Sequence, residues 1–275
     1  MHTTAHRSRR MFVRMATVTA LLGATTTAAG AVAAAPRDDD GAKPTVVLVH
    51  GAFTDGSSWS GVIRDLHRSG YKAIAVADPL RDLRSDAAYV ASVVASVKGP
   101  VVLVGHSYGG AVITNAAQAA PNVKALVYIA AFAPDEGESN ASIGARFHDT
   151  IGKSVLPRPY TKPDGTTGVD LYIDPAKYAA TFAADVPRSQ TALMAATQRP
   201  ITAEAVNTPS GPPAWKKLPS WYLVSTRDQA IPPAAQRFMA GRIGARTVEL
   251  PASHASPVSR PRAVALLIRA AARNG

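Results

Sequence analysis

A serine with a glycine two residues away on either side stands in Gly105-His106-Ser107-Tyr108-Gly109, followed by a further glycine, Gly110. The segment comes directly after an apolar run and directly before an alanine-rich one. At a strand-to-helix turn, this spacing holds a serine in a strained conformation. The glycines remove side chains that would clash, and the helix N-terminus favours developing negative charge. Such a serine is a nucleophile for acyl transfer if a base takes its proton and a carboxylate orients that base. His254, in Pro251-Ala252-Ser253-His254, is the one histidine of seven in a loop beyond the last apolar run, and it is the candidate base. Asp228, in Thr226-Arg227-Asp228, follows the preceding apolar run and completes the chain order Ser, Asp, His. Two other acids compete for the orienting role. Asp78 follows the second apolar run and reads more simply as a turn residue before Pro79, while Glu249 lies inside a strand candidate.

Acyl transfer also builds an oxyanion, which requires two backbone donors aimed at it. One is expected to be the amide of Tyr108, beside the serine. The second is expected from the turn His50-Gly51-Ala52-Phe53, where glycine lets the backbone approach a substrate; Ala52 is the first choice and Phe53 the alternative.

The elements that must position these groups follow an alternating pattern. Short, mostly apolar, β-branched runs occupy 45–50, 72–77, 101–105, 125–130, 221–225 and 246–250. Helix candidates lie at 59–69, 85–97, 109–119, 233–243 and 257–271. Continuous apolar strands joined by crossover helices imply an α/β fold with a mostly parallel sheet of about six strands, covered on both faces. The rhythm breaks between residues 134 and 213, where ten prolines accompany helix candidates at 175–184 and 189–197. This stretch, without any strand candidate, reads as a helical cap inserted into a core formed by 45–133 and 214–275. Asp174 before Pro175 is a helix start, an N-cap carboxylate followed by proline at the first helical position. The polar stretch 160–170, with turns at Asp164-Gly165 and Gly168, is a candidate gate. Phe132, Phe147, Tyr160, Tyr172, Phe182, Met194 and Trp215 lie in or beside the cap, to line a pocket or to pack its core.

The chain has 275 residues, 47% of them apolar, 6% aromatic and none cysteine. That length and composition can bury a sizeable core. Without cysteine there is no disulfide, no thiolate nucleophile and no cysteine zinc site. Thirty Lys and Arg against nineteen Asp and Glu give a net charge of +11. Part of this belongs to the first 33 residues, where Arg7, Arg9, Arg10 and Arg14 precede a weakly apolar Ala-rich run, as in an export signal; Ser8 to Arg14 resembles a twin-arginine signal. Ala31 and Ala33 fit a cleavage site before Ala34, with 34–44 a linker. Removal leaves 26 basic and 19 acidic residues, a net charge of +7, scattered rather than clustered. Nucleic-acid binding is not expected, nor is stable membrane insertion of the mature chain, and secretion or a cell-envelope location is.

The segments VLVHGAFTDGSSW, GHSYGG, DQAIPP and SHASPVSRP together resemble the α/β-hydrolase superfamily over nearly all of residues 45–273. HGA with Trp59 downstream is similar to the branch of plant methyl-ester esterases, hydroxynitrile lyases and small bacterial esterases. The resemblance implies a serine esterase acting on small esters with Ser107, Asp228 and His254, an oxyanion hole at Ala52 and Tyr108, a helical cap from Pro134 onward, and no metal or organic cofactor. The lyases of the branch carry a threonine where this chain has Gly51 and a lysine where it has Ala255, so cyanohydrin cleavage is not implied. Lactonase, thioesterase, amidase or perhydrolase chemistry would use the same residues, and a non-catalytic binding module on the same scaffold is the reading from another class.

Overall fold

A computed structural model of the chain describes residues 43–275; the expected export signal, its cleavage site and most of the linker lie outside the described residues. Among the described residues nine strands are numbered: β1 Thr45–Val49, β2 Ala73–Val76, β3 Val101–His106, β4 Val123–Ile129, β5 Val155–Thr161, β6 Thr167–Ile173, β7 Ile201–Thr202, β8 Ser220–Ser225 and β9 Arg246–Leu250. Six of them form one sheet in the order β2-β1-β3-β4-β8-β9, every pairing parallel.

Side chains alternate across each strand, so a continuous apolar run serves two cores. Val47, Val49, Leu103, Leu126 and Val224 face helices Leu83–Ala95, Tyr108–Ala116 and Pro233–Arg242. Val46, Leu48, Val102, Val127 and Leu223 face helices Ser60–Arg68 and Pro261–Asn274. The six expected strands form within two residues of their expected ends. The last helix candidate is instead split into Ser256–Ser259 and Pro261–Asn274, because Pro261 has no N–H to continue the first piece and opens the second. Among the described residues, no helix is long and apolar enough to cross a membrane.

From β1 the chain moves outward to β2, then returns across β1 to β3. The crevice at the carboxyl ends of β1 and β3 is therefore the point where the winding reverses, the usual ligand position in an open parallel sheet.

Between 134 and 213 the structure corrects the expectation of a strandless helical cap. β5, β6 and β7 form an antiparallel three-stranded sheet beside helices Asn140–Arg146, Pro175–Phe182, Arg188–Thr197 and Ala203–Asn207. Pro157 and Pro159 disguised β5. They stand two residues apart on an edge strand, so their missing N–H groups fall on the same side, and β5 pairs on one side only. The stretch read as a gate is the tip of the β5-β6 hairpin, closed by the Lys162 amide on Thr166 O at 2.8 Å. The expected start at Asp174 is present: its Oδ1 accepts from the Ala176 amide at 2.9 Å.

Candidate active site

Ser107 sits between β3 and the next helix at φ 55° and ψ −123°, a left-handed conformation that a non-glycine residue adopts only under constraint. The constraint is close backbone packing. A Cβ on Gly105 would come within 2.4 Å of Gly109 O, and one on Gly109 within 2.6 Å of Val49 O. The turn is thus wedged between its own helix and the end of β1, and no larger residue fits at either glycine. Gly51 faces the serine, with Ser107 Cβ 2.5 Å from where its own Cβ would be.

A cavity of about 500 Å³ opens over this turn. Ser107, Tyr108, Ala52, Phe53 and His254 all lie on its wall, with apolar side chains from the 134–213 insertion opposite. Of the aromatic residues singled out in and beside the insertion, Phe132 lines the cavity; Phe182 packs on His254, and Phe147 packs on Phe238.

The His254 and Asp228 side chains are almost fully buried, with Nδ1 and Oδ2 2.6 Å apart. A proton on Nδ1 donates to the carboxylate and leaves Nε2 as the basic nitrogen. Asp228 is itself held on all sides. Its Oδ1 accepts from the amides of Ala230 at 2.7 Å and Ile231 at 2.9 Å, and its Oδ2 also accepts from Gln236 Nε2 at 2.8 Å. Gln236 is clamped in turn, donating to Ile231 O at 2.8 Å and accepting from the Ser225 amide at 3.0 Å.

The loop of His254 is braced from the core and from the insertion. His106 Nε2 donates to the His254 carbonyl at 2.9 Å. Burial pushes the His106 imidazole well below its ordinary pKa, so the ring stays neutral. From the insertion, the Phe182 ring stands edge-on to His254 at 4.8 Å, and Phe182 O accepts from the Ala255 amide at 2.9 Å.

The two competing acids lie elsewhere. Glu249 is paired with Arg237 Nη2 at 2.7 Å on the exposed edge strand β9. Asp78 lies in the loop after β2 and is fully buried there; burial and the neighbouring Asp86 carboxylate raise its pKa well above the usual range. Its amide donates to His50 Nε2 at 3.1 Å, while His50 Nδ1 donates to Gly51 O at 2.8 Å, which fixes the imidazole tautomer beneath the β1 turn.

The two amide candidates after β1 differ in their commitments. The Phe53 amide donates to Arg199 O at 2.9 Å, whereas the Ala52 amide has no backbone partner among the described residues. Tyr108 is the first residue of its helix, where amides lack an intrahelical acceptor, and its hydroxyl is anchored on Asp86 Oδ2 at 2.8 Å.

Gln236, His106 and Phe182 were not singled out for these roles from sequence. The signal for Gln236 was faint: a lone amide among Ala and Pro, eight residues after Asp228.

A family profile described as the alpha/beta hydrolase family matches residues 46–266. An alpha/beta hydrolase of Aspergillus novofumigatus is 27% identical over 251 residues, covering 84% of this chain and 97% of that protein. A pyrethroid hydrolase of Sphingobium wenxiniae is 26% identical over 252 residues, covering 80% of this chain and 84% of that protein. Among solved structures, polyneuridine aldehyde esterase superposes with a TM-score of 0.73 at 20% identity, over 83% of this chain and 99% of that one. The parallel sheet, the strained turn after β3 and the profile match over most of the chain agree: the protein belongs to the alpha/beta hydrolase family.

Proposed function

We propose that the protein is a carboxylic ester hydrolase acting through an acyl-enzyme on Ser107. The observation that carries this reading is the 2.6 Å pairing of Asp228 with His254 on the cavity wall that also bears Ser107. His254 Nε2 takes the proton from Ser107 Oγ as the oxygen attacks the ester carbonyl. The amides of Ala52 and Tyr108 stabilise the oxyanion, a role for which the occupied Phe53 amide is less suited. His254 then returns the proton to the departing alcohol, and water, deprotonated by the same nitrogen, releases the acid and restores the serine. The relatives named as a pyrethroid hydrolase and a polyneuridine aldehyde esterase support an ester as the substrate class.

The test is a screen of p-nitrophenyl esters of increasing acyl length, with Ser107→Ala alongside and fluorophosphonate labelling of both proteins. Serine-dependent hydrolysis with a label on Ser107 is expected. Hydrolysis that survives in Ser107→Ala refutes the assignment of the nucleophile, and absence of both turnover and label refutes the enzyme.

A further inference from the structure

The Tyr108 amide belongs to the peptide that joins Ser107 to Tyr108. A peptide unit is planar, so the direction of its N–H is set by whatever holds its two ends. The carbonyl end is held by the neighbouring main chain: Ser107 O accepts from the amides of Gly110 and Phe132, each at 3.0 Å. The other end opens a helix, and the Tyr108 amide has no backbone partner among the described residues. Its further anchor is the side chain. Tyr108 is 2% exposed, lies on the cavity wall, and reaches Asp86 Oδ2 with its hydroxyl at 2.8 Å. Burial and the Asp86 carboxylate push the phenol pKa upward, so the hydroxyl stays protonated and donates.

Asp86 stands in the first turn of helix Leu83–Ala95, fully buried and behind the cavity wall rather than on it. Burying a carboxylate costs stability, and desolvation raises the Asp86 pKa accordingly. An apolar residue would pack against the helix of Tyr108 without that penalty, so the carboxylate is there for something other than stability. It is also fixed in place. Its oxygens accept from the Arg81 amide at 3.1 and 3.3 Å, and the Arg81 guanidinium binds Asp170 Oδ1 at 2.7 Å and Pro200 O at 3.2 Å in the insertion. Asp86 thus offers Tyr108 an acceptor whose position is set from outside the nucleophile turn.

We propose that Asp86 is a positioning residue for ester hydrolysis: through the Tyr108 hydroxyl it fixes the main chain that aims the Tyr108 amide at the oxyanion. The proposal rests on the ester hydrolase reading above and adds a residue to that same site. Asp86 acts on the rate through Tyr108 alone. The oxyanion exists in the transition state and not in the bound ester, so a loosened amide lowers kcat and leaves KM nearly unchanged. Removing an oxyanion donor outright costs about 10²–10³ in kcat, and loosening one that stays in place costs part of that, about tenfold.

The experiment measures kcat and KM on the p-nitrophenyl ester that the wild type hydrolyses best, for the wild type, Tyr108→Phe, Asp86→Ala, Asp86→Asn and the double variant Asp86→Ala with Tyr108→Phe. Inhibition is measured alongside with two probes of matching chain length: a trifluoromethyl ketone, whose adduct with Ser107 carries the oxyanion, and the corresponding secondary alcohol, which forms none. Tyr108→Phe removes a single hydroxyl and keeps the ring. It is expected to lower kcat about tenfold with KM within about twofold, to weaken the ketone by the factor lost in kcat/KM, and to leave the alcohol unchanged. Asp86→Ala is expected to match it, and the double variant to be no slower than the slower single variant. Asp86→Asn, whose Oδ1 still accepts the hydroxyl, is expected to stay within about threefold of the wild type. A kcat for Tyr108→Phe within about twofold of the wild type overturns the proposal and requires no disruptive variant to fold. Losses that multiply in the double variant overturn it as well, as does equal weakening of ketone and alcohol, the mark of general distortion. In these cases Ser107-dependent hydrolysis by the wild type persists and the ester hydrolase reading stands; absence of Ser107-dependent turnover in the wild type overturns both.

Discussion

Gln236 ties the carboxylate end of the site together through three buried hydrogen bonds. Replacing it with methionine keeps the length and roughly the volume of the side chain but removes its amide. Three buried groups then lose a partner at once: the Ser225 amide, the Ile231 carbonyl and Asp228 Oδ2. Each such loss costs about 1–3 kcal/mol, so the combined expectation is about 3–9 kcal/mol. That is a large fraction of the roughly 5–15 kcal/mol by which domains are stable. Chemical denaturation of wild type and Gln236→Met measures it directly. The rate should respond far less. Asp228 Oδ1 keeps its bonds to the Ala230 and Ile231 amides, and Oδ2 keeps His254, so the carboxylate stays oriented. A fall in kcat below about tenfold, near 1 kcal/mol, is therefore expected at a temperature where the variant is folded. A stability within about 1 kcal/mol of wild type refutes the buried network, because the lost partners would then be replaced or unnecessary. A fully stable variant with a collapse in kcat refutes the claim that backbone amides suffice to hold Asp228.

Asp228→Asn should lower kcat by roughly 10⁴ with the fold intact, since an amide in that position cannot stabilise the imidazolium formed on His254; steady-state kinetics with a circular-dichroism control decides it, and a mild effect moves the orienting role to another group. His50 is fully buried, and desolvation lowers its pKa from 6.5 to about 4. Between those values the unfolded chain binds a proton that the folded chain does not, so this contribution to stability is present above pH 6.5 and is lost as the pH falls through about 4. The expected loss is about 3 kcal/mol. Unfolding free energies across that range should fall less steeply with acid in His50→Asn than in the wild type, whatever the variant's absolute stability, and an equal slope refutes the buried neutral imidazole.

The core of the fold was legible in the sequence because a parallel sheet buried on both faces writes itself as unbroken apolar strands, as in β1 and β3. Ser107 stood out for a local reason: its turn is built from neighbours in the chain, and the glycines that permit it lie two residues away on each side. The insertion was misread because β5 carries Pro157 and Pro159, which signal a loop unless it is known that the strand is an edge. The engagement of the Phe53 amide was likewise invisible, since its partner is the carbonyl of Arg199, far along the chain. Asp78 does lie in the loop after β2, but its burial beside Asp86 and His50 is a tertiary outcome that the sequence does not show. Gln236 belongs to the same class: an amide on a helix carries no mark of whether it will meet solvent or a carboxylate.

The bonds between the insertion and the two loops over the sheet bear on how this enzyme can be re-engineered. Arg199 O holds the Phe53 amide, the Tyr178 hydroxyl donates to Phe53 O at 2.7 Å, and Phe182 O holds the Ala255 amide. Arg81, beyond β2, is tied to Asp170 of β6 at 2.7 Å. Grafting a foreign segment in place of residues 134–213 would thus withdraw the acceptors that shape the β1 turn and the His254 loop, along with the chamber wall. The cavity in this scaffold is better reshaped one wall residue at a time than by exchanging the segment whole, because the segment that walls the chamber also braces the two loops over the sheet.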